Sequence, residues 1–180
     1  MNRYAVFIDG GYAKKIYEQF KTRISYLKFS DLVAKNQERL RTYYYDCPPF
    51  VGPSPSADER ERKAKFDRFT AMLDRESRFQ VRLGRLAKRY NNDGSERYEQ
   101  KMVDILLAVD LVQLSVGHQI QRAVLLANDS DFVPAIEIAK NAGTVVELYY
   151  LEQIKPYSGL RTACDDCIPI DASIVEQIAI

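Results

Sequence analysis

Residues 123–143 of the chain have the sequence AVLLANDSDFVPAIEIAKNAG. The first five residues are apolar, as expected for a strand that is buried on both faces of a parallel sheet. From Phe132 to Ala139 the apolar residues follow helical spacing, and Gly143 ends that helix. The segment therefore predicts a strand, a turn and a helix. In an open α/β sheet such a turn lies at the carboxyl edge, where ligands bind.

The turn at residues 128–131 is Asn-Asp-Ser-Asp. These residue types are preferred helix N-caps, so a purely structural role as a cap is one interpretation. A cap needs one such residue, whereas this turn has four in succession. Two carboxylates two residues apart suggest a metal ion instead. The turn alone supports the two interpretations equally.

Two further aspartates are predicted to lie near this edge. Asp9 follows an apolar strand at residues 3–8 and precedes two glycines, which let the backbone approach a ligand closely. A turn residue before glycine is the alternative interpretation. Asp104 lies near the start of a largely apolar helix at residues 100–114 and could pair with Lys101. Asp110 is about 120° further round that helix, and we expect it to orient a neighbour by a hydrogen bond.

Composition limits the class of protein. The chain has 180 residues, 46% of them hydrophobic and 28% charged, with a net charge of +1. This fits one domain over residues 1–180 and no global attraction to nucleic acid or membrane. The apolar runs are too short to cross a bilayer and no signal peptide is evident, so the expected location is the cytoplasm.

The alternation of strands and helices predicts a three-layer α/β fold with a mainly parallel central sheet. Ser30 is expected to cap a helix at residues 31–38, and residues 57–76 form a charged helix with Met72 in its apolar stripe. A β-hairpin insertion is predicted near residues 79–98, with Asp93-Gly94 as its turn.

The predicted hairpin is basic. Arg85, Lys88 and Arg89, with Arg82 nearby and tyrosines interleaved, form the best candidate for a local RNA-binding face. An exposed edge protected by charged side chains is the commoner explanation of such a pattern.

A zinc site is not favoured. Cys164 and Cys167 have the spacing of a zinc or redox pair, but there is no second pair, and the single histidine, His118, is distant in sequence. Buried or incidental thiols are the preferred interpretation.

The acids themselves indicate a harder cation. Asp9, Asp104, Asp129 and Asp131 can converge at one sheet edge, and crowded carboxylates repel unless a cation compensates them. Oxygen ligands suit Mg²⁺ or Mn²⁺, which can activate water for hydrolysis of a phosphodiester. No Gly-rich phosphate loop and no Ser/His/Asp set points to another chemistry.

Three blocks resemble the NYN domain, in its LabA-like group, of the PIN-like nuclease superfamily. They are FIDGG at residues 7–11, Lys101-x-x-Asp104 with Asp110, and NDSDF at residues 128–132 with Pro134. The LRTACD stretch at residues 160–165 resembles the family's closing motif. This resemblance implies a Rossmann-like PIN fold and a metal-dependent ribonuclease that uses the four aspartates. The chain departs from the family at Asn128, where glycine is frequent, and at Tyr12, where asparagine is frequent.

These observations predict a ribonuclease that uses Mg²⁺ or Mn²⁺, with RNA as its partner. Asp9, Asp104 and Asp129 are the expected ligands, and Asp131 would ligate or orient the attacking water. Substrate contacts are expected from Lys101, Ser130, Asn128, Arg85, Lys88 and Arg89. The alternative is a weakly active or inactive module of the same fold that binds RNA or a protein partner. A homo-oligomer is also left open.

Overall fold

Strands and helices alternate along most of the chain. The computed structural model describes residues 2–90 and 96–180, with the backbone alone at positions 88, 90, 96, 97, 99 and 100. The strands are β1 (Arg3–Asp9), β2 (Glu38–Asp46), β3 (Phe79–Leu83), β4 (Arg85–Tyr90), β5 (Glu96–Lys101), β6 (Arg122–Leu126), β7 (Val145–Leu151) and β8 (Asp166–Ile170). The helices are α1 (Gly10–Phe20), α2 (Tyr26–Leu32), α3 (Ala57–Arg75), α4 (Val103–Val116), α5 (Val133–Asn141), α6 (Ser158–Ala163) and α7 (Ala172–Ile178), and a single 3-10 turn spans Ser130–Phe132.

Six strands form the central sheet in the order β3-β2-β1-β6-β7-β8, and every neighbouring pair is parallel. This is the order of a doubly wound fold, in which the winding direction reverses beside the first strand. The predicted α/β fold is therefore confirmed. The reversal leaves a crevice at the carboxyl ends of β1 and β6, where such folds bind ligands.

Helices cover both faces of the sheet. Helices α1, α2, α3 and α7 contribute to one apolar core, and α4, α5 and α6 contribute to the other. Along β1, Tyr4, Val6 and Ile8 enter the first core, whereas Ala5 and Phe7 enter the second. Side chains alternate between the faces of a strand, so a strand covered on both sides must be apolar throughout.

A buried ion pair closes the opposite, amino edge of the sheet. Arg122 Nη1 lies 2.8 Å from Glu147 Oε2, and both side chains are less than one-tenth exposed. Arg122 also donates to the carbonyl oxygens of Val33 and Ala34, and Lys35 Nζ lies 2.7 Å from Glu147 Oε1. These contacts join β6, β7 and the end of α2.

Several local predictions were wrong. Ser25, not Ser30, caps α2, and the Ser30 hydroxyl is buried against Thr42 and the Tyr26 carbonyl. Because Ser30 packs in the core, the helix begins at Tyr26 and not at residue 31. Met72 is half exposed rather than part of the apolar stripe. Helix α7 has no counterpart in the prediction.

The hairpin is shorter than predicted. Residues 79–83 form β3 and pair with β2 in the central sheet, because the buried Phe79 packs into the core. Only β4 and β5 form the antiparallel hairpin. The predicted turn at Asp93-Gly94 lies outside the described residues.

No helix within residues 2–90 and 96–180 has both the length and the apolar character that are needed to cross a membrane.

Candidate active site

A cleft of about 260 Å³ opens at the carboxyl ends of β1 and β6. Three of the four predicted aspartates, Asp9, Asp104 and Asp129, line it together, although they come from distant parts of the chain. We call this space the carboxylate cleft. Its other lining residues are Gly11, Tyr12, Lys15, Val103 and Asn128.

Asp9 ends β1 and caps α1. Its Oδ1 accepts a hydrogen bond of 3.1 Å from the backbone N–H of Tyr12. The pKa of Asp9 is raised to about 6, mainly by burial and to a lesser extent by the nearby charges of Asp104 and Asp46, while hydrogen bonds from backbone N–H groups act in the opposite direction. A carboxylate in this environment is destabilised as an anion, so a nearby cation would stabilise it.

Asp129 has the corresponding position after β6. Its Oδ1 accepts a hydrogen bond of 2.9 Å from the backbone N–H of Asp131, at the start of the 3-10 turn. Capping is therefore part of its role. Because a carboxylate offers about four lone-pair sites, a cap does not exhaust its capacity to accept.

Asp104 lies in the first turn of α4. Although the residue as a whole is exposed, loss of hydration at its carboxyl group raises its pKa, and the charges of Asp129 and Asp131 raise it further. The chain enters α4 through Met102, whose φ of 75° is in the left-handed region. A Cβ on Gly84 would lie 2.5 Å from the Lys101 carbonyl oxygen, so the link between β3 and β4 packs tightly against this entry.

The donor chemistry of the carboxylate cleft fits a hard divalent cation. The side-chain oxygen Oδ1 of Asn128 is buried and has no hydrogen-bond partner among the described residues. This amide oxygen and the three carboxylates are all oxygen donors, which Mg²⁺ and Mn²⁺ prefer. Within residues 2–90 and 96–180 no three acids, histidines or cysteines are close enough to hold one ion together. Mg²⁺ commonly uses one or two carboxylates and keeps several waters.

The other predicted site residues lie further out. Asp131 and Ser130 are exposed and do not belong to the cleft wall, although the charge of Asp131 acts on Asp104. Lys101 is half-buried and pairs in register with the exposed Arg85 at the base of the hairpin. Arg89 is exposed on β4, and the side chain of Lys88 lies outside the described part of the chain.

Two charged residues near the site were not among the sequence candidates. Lys15 lines the carboxylate cleft and its Nζ lies 5.7 Å from the centroid of the Tyr12 ring. Asp46 ends β2, is almost fully buried, and forms an ion pair of 2.7 Å with Lys14. Asp46 is the last residue of β2, at the same sheet edge as Asp9, and this position is the signal that could have revealed it. Lys15 lies within α1 and has no such signal.

Arg82 and Asp110 have structural contacts. Arg82 Nε lies 3.1 Å from Asp110 Oδ2, which also accepts a hydrogen bond of 2.9 Å from the Tyr45 hydroxyl. Asp110 therefore orients neighbours, as predicted. This ion pair holds the Arg82 guanidinium against α4, apart from the other basic residues of the predicted RNA-binding face.

Tyr12 is also held by the core. Its hydroxyl accepts a hydrogen bond of 2.8 Å from the backbone N–H of Leu151, at the end of β7. The side chain that replaces the family's frequent asparagine therefore connects α1 to the sheet.

The three cysteines are free thiols. Burial raises the pKa of Cys164 to about 12 and also raises that of Cys167. Buried thiols of high pKa are poor nucleophiles and poor metal ligands at neutral pH. Cys47 and Cys164 are buried, as predicted, whereas Cys167 is only partly buried.

Comparisons with known proteins identify the family. No curated protein matches the chain. The crystal structure of a protein of unknown function from Vibrio parahaemolyticus RIMD 2210633 is similar with a TM-score of 0.65 and 17% identity, over 99% of this chain and 96% of that one. At this identity the likeness concerns the fold alone. The model of the NYN domain matches residues 3–171. Assignment to the LabA-like group stays a prediction. The match over nearly the whole chain shows that this protein belongs to the NYN domain family, within the PIN-like nuclease superfamily.

Proposed function

We propose that this protein is a divalent-metal-dependent ribonuclease that hydrolyses RNA phosphodiester bonds at the carboxylate cleft. One observation carries the proposal. Asp9, Asp104 and Asp129, from three separate segments, line a single cleft beside an unpaired buried amide oxygen of Asn128. Membership of a nuclease superfamily gives this arrangement its expected chemistry.

Asp9, Asp104 and Asp129 would hold Mg²⁺ or Mn²⁺, one or two of them directly and the others through waters that the ion keeps. Such an ion polarises a phosphate oxygen and lowers the pKa of a bound water. Asp131, whose charge already acts on Asp104, would ligate or orient the attacking water. Asn128 Oδ1 would accept from that water or from the substrate.

The cations of the site would bind the substrate. Lys15 presents an ammonium group to the carboxylate cleft and would contact a phosphate beside the acids. Ser130 and Lys101 would contribute at the rim, and Arg85, Lys88 and Arg89 would contact RNA further along the hairpin.

A direct assay tests this function. Wild type, Asp9→Asn and Asp129→Asn are incubated with a panel of labelled single-stranded and structured RNAs in Mg²⁺, Mn²⁺ or EDTA. We expect cleavage by the wild type that requires the metal and falls at least a hundredfold in both variants. Asp67→Asn, an exposed change on α3, is the matched control and should cleave normally. Equal cleavage by wild type and Asp129→Asn would indicate a contaminating nuclease and overturn the proposal.

The second candidate is a weakly active or inactive module that binds RNA or a protein partner. The open spacing of the acids favours it, since no three ligating side chains in the described residues are close enough for one ion. No cleavage of any RNA, with RNA still retained by the protein, would support this function instead.

A further inference from the structure

A second cleft lies beside the carboxylate cleft, at the carboxyl end of β2. It has a volume of about 330 Å³. Its wall includes the turn at residues 47–49 together with Lys14, Phe50, Arg62, Phe66 and Leu86. We call this space the aromatic cleft. Its residues come from α1, the loop after β2, α3 and β4, so it is formed by the tertiary fold and not by one segment.

The two clefts adjoin across α1. Lys14 lines the aromatic cleft, whereas the next residue, Lys15, lines the carboxylate cleft. Consecutive helical residues point about 100° apart, so α1 presents one ammonium group to each space. The strands that end below the clefts, β1 and β2, pair directly, with Asp9 opposite Tyr45. The two clefts are therefore neighbours at the same edge of the sheet, and one polymer chain can extend across both.

The aromatic cleft carries two cations. Lys14 Nζ lies 2.7 Å from Asp46 Oδ2, yet just over half of its side chain is exposed. An ammonium group has three N–H donors, so the pair with Asp46 leaves donors for a phosphate. Arg62 is exposed on α3 and can form two parallel hydrogen bonds to a phosphate.

Two aromatic rings also line the aromatic cleft. Phe50 stacks on Tyr98 of β5, with ring centroids 3.7 Å apart and planes inclined by 30°. Phe66 of α3 is half-buried and Leu86 of β4 extends the apolar surface. Sites for single-stranded nucleic acid combine cations that contact the backbone with rings that stack on unpaired bases.

We propose that the aromatic cleft binds one nucleotide of a single-stranded RNA, next to the phosphodiester in the carboxylate cleft. Lys14 and Arg62 contact its phosphates, and Phe50 and Phe66 contact its base. The placement beside a scissile bond rests on the proposed ribonuclease function, whereas the binding itself does not. An acidic peptide could use the same cations, but it would not depend on a base.

The first test measures binding without cleavage. A fluorescently labelled single-stranded RNA is titrated in EDTA with wild type, Arg62→Glu and Arg68→Glu, and binding is followed by anisotropy. Arg68→Glu is the matched control, since it makes the same charge change on an exposed position of α3 outside the aromatic cleft. We expect Arg62→Glu to bind at least tenfold more weakly than the control, with a shallower salt dependence.

Equal affinities of the two variants, or no binding by the wild type, would overturn the inference. If wild type binds through Arg62 but cleaves nothing with any metal, the proposed function fails and the binding cleft stands. If it cleaves and Arg62→Glu binds as the control does, the inference fails and the proposed function stands.

The second test measures whether binding depends on a base of the RNA. A single abasic position is moved along the RNA, and we expect one position to weaken wild-type binding about tenfold. In Phe66→Leu, which keeps an apolar side chain, that difference should disappear. If Phe66→Leu has a lower Tm than the wild type, Phe50→Leu is used instead, and the effect of the abasic position should disappear in that variant too. If the affinity depends on charge but an abasic position weakens binding nowhere along the RNA, an acidic peptide would be favoured as the ligand. That result would overturn the assignment to RNA.

Discussion

Asp9 and Asp129 each use a carboxylate oxygen to cap the helical segment that follows one of two adjacent parallel strands. Oδ1 of Asp9 accepts from the backbone N–H of Tyr12 at 3.1 Å, and Oδ1 of Asp129 accepts from that of Asp131 at 2.9 Å. Their strands pair directly, with Ile8 opposite Leu126. Each aspartate therefore fixes its own turn while it faces the same cleft, so capping and ion binding are compatible roles and can be separated by substitution.

Replacement of Asp129 distinguishes these roles. Asparagine caps a helix about as well as aspartate but has no charge, so Asp129→Asn should keep the stability of the wild type within about 0.5 kcal/mol in EDTA. Asp129→Ala should lose about 1 kcal/mol because the cap is lost. Thermal melts with and without Mn²⁺ should show a metal-dependent rise in Tm for the wild type alone. If Mn²⁺ raised the Tm of Asp129→Asn as much as that of the wild type, Asp129 would not be a ligand of the ion.

Asp9 gives the metal-free protein an unusual pH dependence. Its pKa is raised from 3.8 to about 6 in the folded state, so the folded protein binds this proton more tightly than the unfolded chain does. The free energy of unfolding should therefore fall as pH rises from about 4 to about 6, by at most ~3 kcal/mol for this group. Above pH 6 the full cost of the charged form is present.

Asp9→Asn should remove this cost and retain the cap. In EDTA at pH 7 the variant should be more stable than wild type, and its advantage should disappear below about pH 4. Urea unfolding at a series of pH values measures the difference. Added Mn²⁺ should stabilise the wild type at pH 7 and not the variant. Identical pH profiles of the two proteins in EDTA would contradict the raised pKa.

The sequence predicts the fold well because parallel strands must be apolar on both faces. The runs at β1 and β6 carry that signal clearly, and each leads to an aspartate at the functional edge: Asp9 is the last residue of β1, and Asp129 lies three residues after the end of β6. The position of Asp104 was predictable from the helix start. These features depend on local pattern, strand direction and the rule that strand ends meet at one edge.

The remaining features depend on tertiary contacts that no local pattern encodes. Arg82 pairs with Asp110, 28 residues away, instead of facing solvent with the other arginines of its segment. Ser30 resembles a cap in sequence but is buried against Thr42 of β2. Lys15 likewise has no local signal, because its place in the carboxylate cleft depends on how α1 packs on the sheet.

The Arg122–Glu147 pair at the amino edge should stabilise the fold without contributing to the site. Arg122→Met leaves Glu147 buried with Lys35 as its remaining ionic partner, and we expect a loss of about 3 kcal/mol in unfolding free energy. Lys35→Met removes a half-exposed partner and should lose less than about 1 kcal/mol. Urea unfolding compares the two. The Mn²⁺ affinity of folded Arg122→Met should equal that of wild type, and a weaker affinity would contradict a purely structural role.

The glycines after Asp9 should differ in their response to substitution. A Cβ on Gly10 would lie 2.5 Å from the Tyr44 hydroxyl and 2.8 Å from the Tyr45 carbonyl oxygen, so neither side chain nor backbone has room for it. Gly10→Ala should therefore lose about 3 kcal/mol of stability. The nearest group to a Cβ on Gly11 is Asp9 Oδ1, at 3.2 Å, and Gly11 is exposed.

Gly11→Ala should keep or slightly raise the stability in EDTA, since alanine loses less conformational entropy in a helix than glycine does. Its methyl group must displace the Asp9 carboxylate by a few tenths of an ångström, so calorimetric titration should show about tenfold weaker Mn²⁺ binding. Urea unfolding provides the stability of both variants. If Gly11→Ala bound Mn²⁺ as tightly as wild type, the position of the Asp9 carboxylate would not control the ion, and Asp9 would lose its place as a principal ligand.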